Sequence, residues 1–354
     1  MARKRRQDLT TLRQAVAFLD PLEQRLLMHG SHHDDLLAVD PIPAVVVKSG
    51  YAVPMFSGGT STLGAVPVLE SDPSASAKIY LDFDGAASIT WGSYKVPATP
   101  AYDQDGNTSS FSASELNSIQ QIWQRVAEYY APFNINVTTV DPGTYADQQT
   151  LRIVFGGTGS WTGGSYGGIA YVGSFYNSMP NTVWVFTKDL SNGHAKYSAD
   201  AGAHEAGHGF GLRHQSSYSG TTKTAEYNKG NSSVAPIMGV SYYSARGLWY
   251  NGPSTAWNVY QNDLSVLLSE YNAFGYRADD HGNSVGSATG LDLDGADASG
   301  SGVIETIDDD DVFSFTTEAG TVSFTVSPAQ YGGMLDATLT LMDSSGNVIV
   351  SADT

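Results

Sequence analysis

Hydrophobic and polar positions change period several times along the chain. Residues 78–83 (Lys-Ile-Tyr-Leu-Asp-Phe) alternate and are rich in β-branched and aromatic types, which predicts a strand. Leu116, Ile119, Ile122, Trp123 and Val126 then recur at helical spacing, and Ser112 precedes Glu115 at capping-box distance. Together they predict one long amphipathic helix to about Tyr130, stopped before Pro132. Strands are expected at 135–140, 151–155, 169–172 and 183–186. A second helix is expected from Ser198, as N-cap, to Phe210, and a short closing helix at 262–268. Beyond 279 the pattern breaks into short alternating runs at 312–316, 322–326 and 339–342. Asp343-Ser344-Ser345-Gly346-Asn347 reads as a hairpin turn.

The first 77 residues lack such periods. Residues 1–30 begin with Arg3, Lys4, Arg5 and Arg6, followed by a short apolar run that Asp20 and Glu23 interrupt. They read as a targeting or export segment. Residues 31–77, with Pro54, Pro67, Pro73 and the Gly-Ser-Thr stretch 57–64, read as a linker or pro-segment. His32, His33, Asp34 and Asp35 within it read as a solvated polar turn, with capping of a metal site in a latent form as the alternative.

Composition narrows the classes. Only 15% of residues are charged, the net charge is −18, and 38 are glycine. A nucleic-acid partner is not expected, because phosphates need a basic footprint. There is no cysteine, so neither disulfides nor a masking thiolate enter. No run of eighteen apolar residues predicts a transmembrane span. The Gly-rich stretch 156–168 is not followed by the Lys-Ser/Thr pair of a phosphate loop. Asp103, Asp105 and Asn107 open like a calcium loop, but Thr108 and Ser114 stand where an EF-hand needs Gly and Glu. A polar turn and a calcium site of another kind both remain open there.

The chemistry concentrates at 204–214: His204-Glu205-Ala206-Gly207-His208-Gly209-Phe210-Gly211-Leu212-Arg213-His214. Histidines four apart on a helix share one face and can reach one metal. Glu205 is offset from that pair and suited to holding a water. Gly211 can turn the chain so that His214 returns as a third ligand. Three protein ligands leave one tetrahedral position open, as in catalytic zinc sites. Gly202 and Gly207 inside the helix suggest close approach of neighbouring groups.

This H-E-x-x-H-x-x-G-x-x-H pattern resembles the signature of the metzincin zinc endopeptidases. The resemblance implies Zn²⁺ on His204, His208 and His214, with Glu205 as general base toward a zinc-bound water. It implies a hydrophobic Met-turn at Met238, in Ala235-Pro236-Ile237-Met238-Gly239. It also implies that Ile169, Ala170 and Tyr171 lie on an edge strand that binds an extended peptide. Where some relatives carry a zinc-site tyrosine two residues after that methionine, Val240 stands here, and Tyr242 and Tyr243 follow. Gln215, after the third histidine, leaves the subfamily open. Leu22-Glu23-Gln24-Arg25-Leu26-Leu27 resembles a Leu-Glu-Pro-Arg export segment of bacterial proteins, with Gln24 in place of the proline.

Residues 278–354 resemble the pre-peptidase C-terminal domain of secreted bacterial proteases, a small β-sandwich similar to collagen-binding modules that carry Ca²⁺. Asp279, Asp280, Asn283, Asp309 and Asp311 are the candidate calcium ligands. The sequence ends at Thr354 just after a strand, so that sandwich is expected to be incomplete. The expected fold is therefore α+β: a zincin-like catalytic domain at 78–277, built on a twisted mixed sheet and an active-site helix, then a partial all-β sandwich. The expected function is that of a secreted or cell-surface bacterial endopeptidase acting on proteins or peptides, with Zn²⁺ and a candidate Ca²⁺ as cofactors. The C-terminal domain is expected to contact extracellular matrix or a cell surface. Two alternatives are a non-proteolytic adhesin on a zincin scaffold and a zinc hydrolase of a non-peptide bond.

Overall fold

A computed structural model describes residues 66–164, 166–317 and 320–353, and the backbone of 15–20, 44–48 and 60–62. The segments 22–27 and 32–35 lie outside the described residues. The chain divides into two units. One comprises Tyr51–Arg277 with Tyr331–Met334, the other Met1–Gly50, Ala278–Gln330 and Leu335–Thr354.

The larger unit is built on a five-stranded mixed sheet. Its strand order is Gly168–Ile169, Thr182–Val185, Thr150–Phe155, Ala77–Asp82, Ile135–Thr138. Four strands are parallel and the edge strand Gly168–Ile169 runs antiparallel. The inner strands are buried nearly throughout, as their apolar runs require.

Helix α1 (Ala113–Tyr130) starts where the pattern predicts. Ser112 Oγ accepts from Glu115 N–H, and Glu115 Oε2 accepts from Ser112 N–H at 2.7 Å. These bonds satisfy two backbone donors that the first turn cannot pair internally. Leu116, Ile119, Ile122, Trp123 and Val126 all face the core. Trp123 Nε1 donates to Val137 O, tying the helix to the sheet.

Helix α2 (Ala195–Gly209) packs against both α1 and the sheet. Ala199, Ala203 and Ala206 are buried, and a Cβ on Gly202 would meet Phe155 Cζ at 2.8 Å. Small residues let the helix sit this close. Tyr130 hydroxyl donates to Ala203 O and Tyr129 hydroxyl to Asp200 Oδ1, fixing α2 against α1. The helix begins earlier than expected, with His194 and not Ser198 at its N-cap. The chain reverses through Ser191, Asn192 and Gly193, all at positive φ, so Ser198 N–H already donates to His194 O inside the helix.

The edge strand is shorter than expected, two residues where the pattern suggested four. Ala170 packs against the core, and Tyr171 leaves the strand to pack on Trp91 in a tilted arrangement, ring centroids 4.3 Å apart. Its hydroxyl accepts from Ser93 N–H. Tyr171 is held by the hairpin of Ile89–Trp91 and Tyr94–Val96. The 103–107 segment forms a turn, and oxygens of Asp103, Asp105 and Glu115 lie within 4.8 Å of one another. Asp103 Oδ1 accepts from Gly106 N–H, its other oxygen pairs with Lys188, and Glu115 accepts from Gln104 N–H. The closing helix α3 (Asp263–Leu267) forms as expected, capped by Asn262.

The smaller unit holds two sheets. One runs Thr289–Gly290, Asp311–Phe315, Ala15–Asp20, Thr338–Asp343, Val348–Asp353. The other runs Asp292–Asp294, Asp297–Gly300, Ala44–Lys48, Ser323–Ser327. Leu291, Ala298, Phe313, Phe315, Val326 and Ala337 form its core. Strands from the first 50 residues thus stand in both sheets, where the periodicity suggested only a leader and a linker. Among the described residues, no helix is long and apolar enough to cross a membrane.

Candidate metal centre

His204 and His208 stand one turn apart near the C-terminal end of α2. The helix stops at Gly209, and Gly211 adopts φ +101°, a conformation that disfavours any residue with a Cβ. A Cβ there would also lie 2.7 Å from the Tyr176 hydroxyl. Leu212 N–H then donates to Gly207 O, and the chain doubles back to bring His214 beside the helix. The three rings stand 4.8 to 5.4 Å apart, and one nitrogen from each lies within 4.8 Å of the others.

Each histidine is held through Nδ1. His204 donates to Ile237 O at 2.7 Å, His208 to Leu212 O at 2.7 Å, and His214 to Glu226 Oε1 at 2.8 Å. With the proton on Nδ1, each Nε2 carries a lone pair. His208 Nε2 and His214 Nε2 face each other at 3.1 Å. Two facing lone pairs repel unless a cation sits between them, so the donor set fits a bound metal. Burial and the neighbouring histidines press His204 well below the usual range, and burial takes His208 down to about 4. Both are therefore neutral, as ligands must be.

Glu205 is 7% exposed, and burial pushes it up to about 8. It meets the edge strand directly. A Cβ on Gly168 would lie 2.6 Å from Glu205 Cγ and equally close to Trp184 O. Met238 is fully buried beneath the helix, and a Cβ on Gly207 would lie 2.6 Å from its sulfur. The residue before it, Ile237, supplies the carbonyl for His204, and Met238 O accepts from Gln215 N–H. Gln215 is itself fully buried and donates from Nε2 to Asp263 Oδ1 at 2.8 Å. Of the two tyrosines after Met238, Tyr242 is part-buried against Tyr197 with its hydroxyl near Gly167, while Tyr243 is 75% exposed.

Two residues missed by the motif reach this centre. Glu226 holds His214, and Lys223 Nζ donates to its second oxygen at 2.8 Å. Lys223 first, and His214 next, keep the Glu226 carboxyl below its usual range. The Tyr227 ring lies 4.4 Å from the His214 ring and 6.0 Å from that of His204. Burial, then the charge of Glu205, raises its phenol. The only sequence signal was a turn-forming Ser219-Gly220-Thr221 between His214 and these residues.

A second cluster lies in the smaller unit. Carboxylate oxygens of Asp279, Asp280, Glu305, Asp309 and Asp311 fall into overlapping groups within 4.8 Å. Both oxygens of Glu305 and both of Asp311 are buried with no hydrogen-bond partner. Burial first, and neighbouring acids after it, pushes Glu305 up to about 9 and Asp311 to about 8. With its amide oriented to satisfy both ends, Asn283 donates to Asp309 Oδ1 at 3.0 Å. Glu305 was not among the candidates drawn from the sequence.

Residues 97–215 match the model of the metallo-peptidase family M12B, reprolysin-like. The match supports a metallopeptidase. The matched stretch contains α1, the edge strand, α2 and all three histidines, and zinc is the metal that this family uses. No curated protein matches the chain.

Proposed function

We propose that the protein is a secreted zinc endopeptidase of metzincin type, with His204, His208 and His214 as ligands and Glu205 as general base. The observation that carries this is the convergence of one ring nitrogen from each of three histidines beside a buried carboxylate that abuts the sheet edge. Bound zinc would supply Lewis acidity toward the water and the scissile carbonyl. Glu205 accepts the proton of the attacking water and returns it to the leaving amide nitrogen. Its apolar surroundings raise its proton affinity toward neutrality, which suits both directions of transfer. The peptide substrate lies extended along Gly168–Ile169 and adds a strand to the sheet. Ile169 and Ala170 remain in this reading. Tyr171, committed to Trp91, shapes the strand's end from behind.

Met238 serves as a Met-turn, packed under the histidines through Gly207. The smaller unit serves as a pre-peptidase C-terminal domain that contacts matrix or cell surface. The buried carboxylates of Glu305, Asp309 and Asp311, with the exposed ones of Asp279 and Asp280, hold Ca²⁺. Four unpartnered buried oxygens favour a cation over a solvated acidic rim.

A casein and gelatin gel, run with and without a zinc chelator, tests the function. Chelator-sensitive clearing supports the endopeptidase. Zinc binding without clearing of either substrate points to the adhesin or the non-peptide hydrolase.

A further inference from the structure

His204 and His208 hand Nδ1 to backbone carbonyls, whereas His214 hands it to a side chain. We propose that Glu226 is a positioning residue that fixes the ring of His214 and thereby sets the metal affinity of the centre. This rests on reading the three histidines as zinc ligands. His214 needs such a device. It lies outside α2, past the Gly211 turn, and its side chain is 25% exposed, so no helix restricts its ring.

The chain between His214 and Met238 is shaped to deliver Glu226. Ser217–Ser219 and Thr222–Ala225 pair as a hairpin around Gly220, at φ +58°. Ser216 Oγ donates to Glu226 O at 2.7 Å, and Asn228 N–H donates to Gln215 O at 2.7 Å. Residues 226–228 are thus pinned alongside 214–216. Lys223, on the returning strand, holds the outer oxygen of Glu226, and Tyr227 covers the His214 ring. A carboxylate acceptor fixes the tautomer with its proton on Nδ1. It also makes the imidazole a stronger donor than a carbonyl would. The hairpin is therefore the handle through which the third ligand is oriented.

The test measures zinc affinity by competition with a fluorescent chelator, together with the visible spectrum of the cobalt-substituted protein. Wild type, Glu226→Gln, Glu226→Ala, Glu226→Asp and Lys223→Met are compared. Glu226→Ala should weaken zinc binding about 10- to 100-fold and alter the cobalt bands. Glu226→Gln, which keeps the shape and loses the charge, should lie between it and wild type. Glu226→Asp should recover part of the loss, and Lys223→Met should show a smaller loss in the same direction. Wild-type affinity and an unchanged cobalt spectrum in both Glu226→Ala and Glu226→Gln would overturn the role of Glu226. A wild-type protein that binds no zinc would instead overturn the metal centre itself.

Discussion

Gly207 lies directly against the sulfur of Met238, so close that a Cβ would stand 2.6 Å from it. In an exposed helix, Gly→Ala gains about 1 kcal/mol. Here the sign reverses, because the added methyl must displace a fully buried side chain one residue from His208. Gly207→Ala should destabilise the larger unit by about 1–3 kcal/mol, the usual range for overpacking. Met238→Leu, which roughly conserves volume, should cost less than about 1.5 kcal/mol. Urea denaturation followed by tryptophan fluorescence measures both, and a stabilised Gly207→Ala would refute the contact.

Gly168 faces Glu205 from the other side. A methyl there meets Glu205 Cγ and the backbone oxygen of Trp184, which cannot rotate away. Gly168→Ala should retain zinc, since no histidine is touched, yet lose more than about tenfold in kcat/KM through displacement of the base and the substrate edge. Zinc content by atomic absorption and hydrolysis of a fluorogenic peptide separate the two effects. Loss of zinc in this variant would show that the edge strand supports the ligands instead.

The carboxylates of the smaller unit give a pH prediction. Glu305 and Asp311 are raised above their ordinary values, to about 9 and about 8. Without a cation, the folded state holds these protons more tightly than the unfolded chain. Their contribution to stability is then full below about pH 4 and is lost as pH rises through 8 to 9. Protein stripped of metal should melt lower at pH 8 than at pH 5. Added Ca²⁺ should raise the melting point at pH 8, by about 2.7 kcal/mol of stability at 100-fold over its dissociation constant, and far less at pH 5. Equal stabilisation by Ca²⁺ at both pH values, or none in the wild type, would count against the site. Glu305→Gln should blunt the response.

Much of the larger unit could be read from periodicity. The helix Ala113–Tyr130 carries both its cap and its apolar face in local sequence, and the central strands are runs rich in β-branched and aromatic residues. His204, Glu205 and His208 were legible because a helix fixes their relation. His214 was legible because Gly211 marks the turn. Glu226 was not, because twelve residues and a hairpin separate it from the ring that it holds. Gln215 carried no readable signal, since its partners Met238 and Asp263 are tertiary neighbours. The edge strand was overestimated because Tyr171 continues the apolar alternation while its ring packs on Trp91. The short apolar runs at 15–20 and 44–48 are too brief to reveal which sheet receives them.

Glu205 offers the most direct test of the whole reading. Glu205→Ala removes the buried carboxylate and leaves the three histidines with their Nδ1 partners intact. Zinc content and casein hydrolysis are measured on the same preparation. Zinc bound as in the wild type, with hydrolysis reduced by several orders of magnitude, is the expected result. A zinc-loaded Glu205→Ala protein that cleaves casein at the wild-type rate would contradict it.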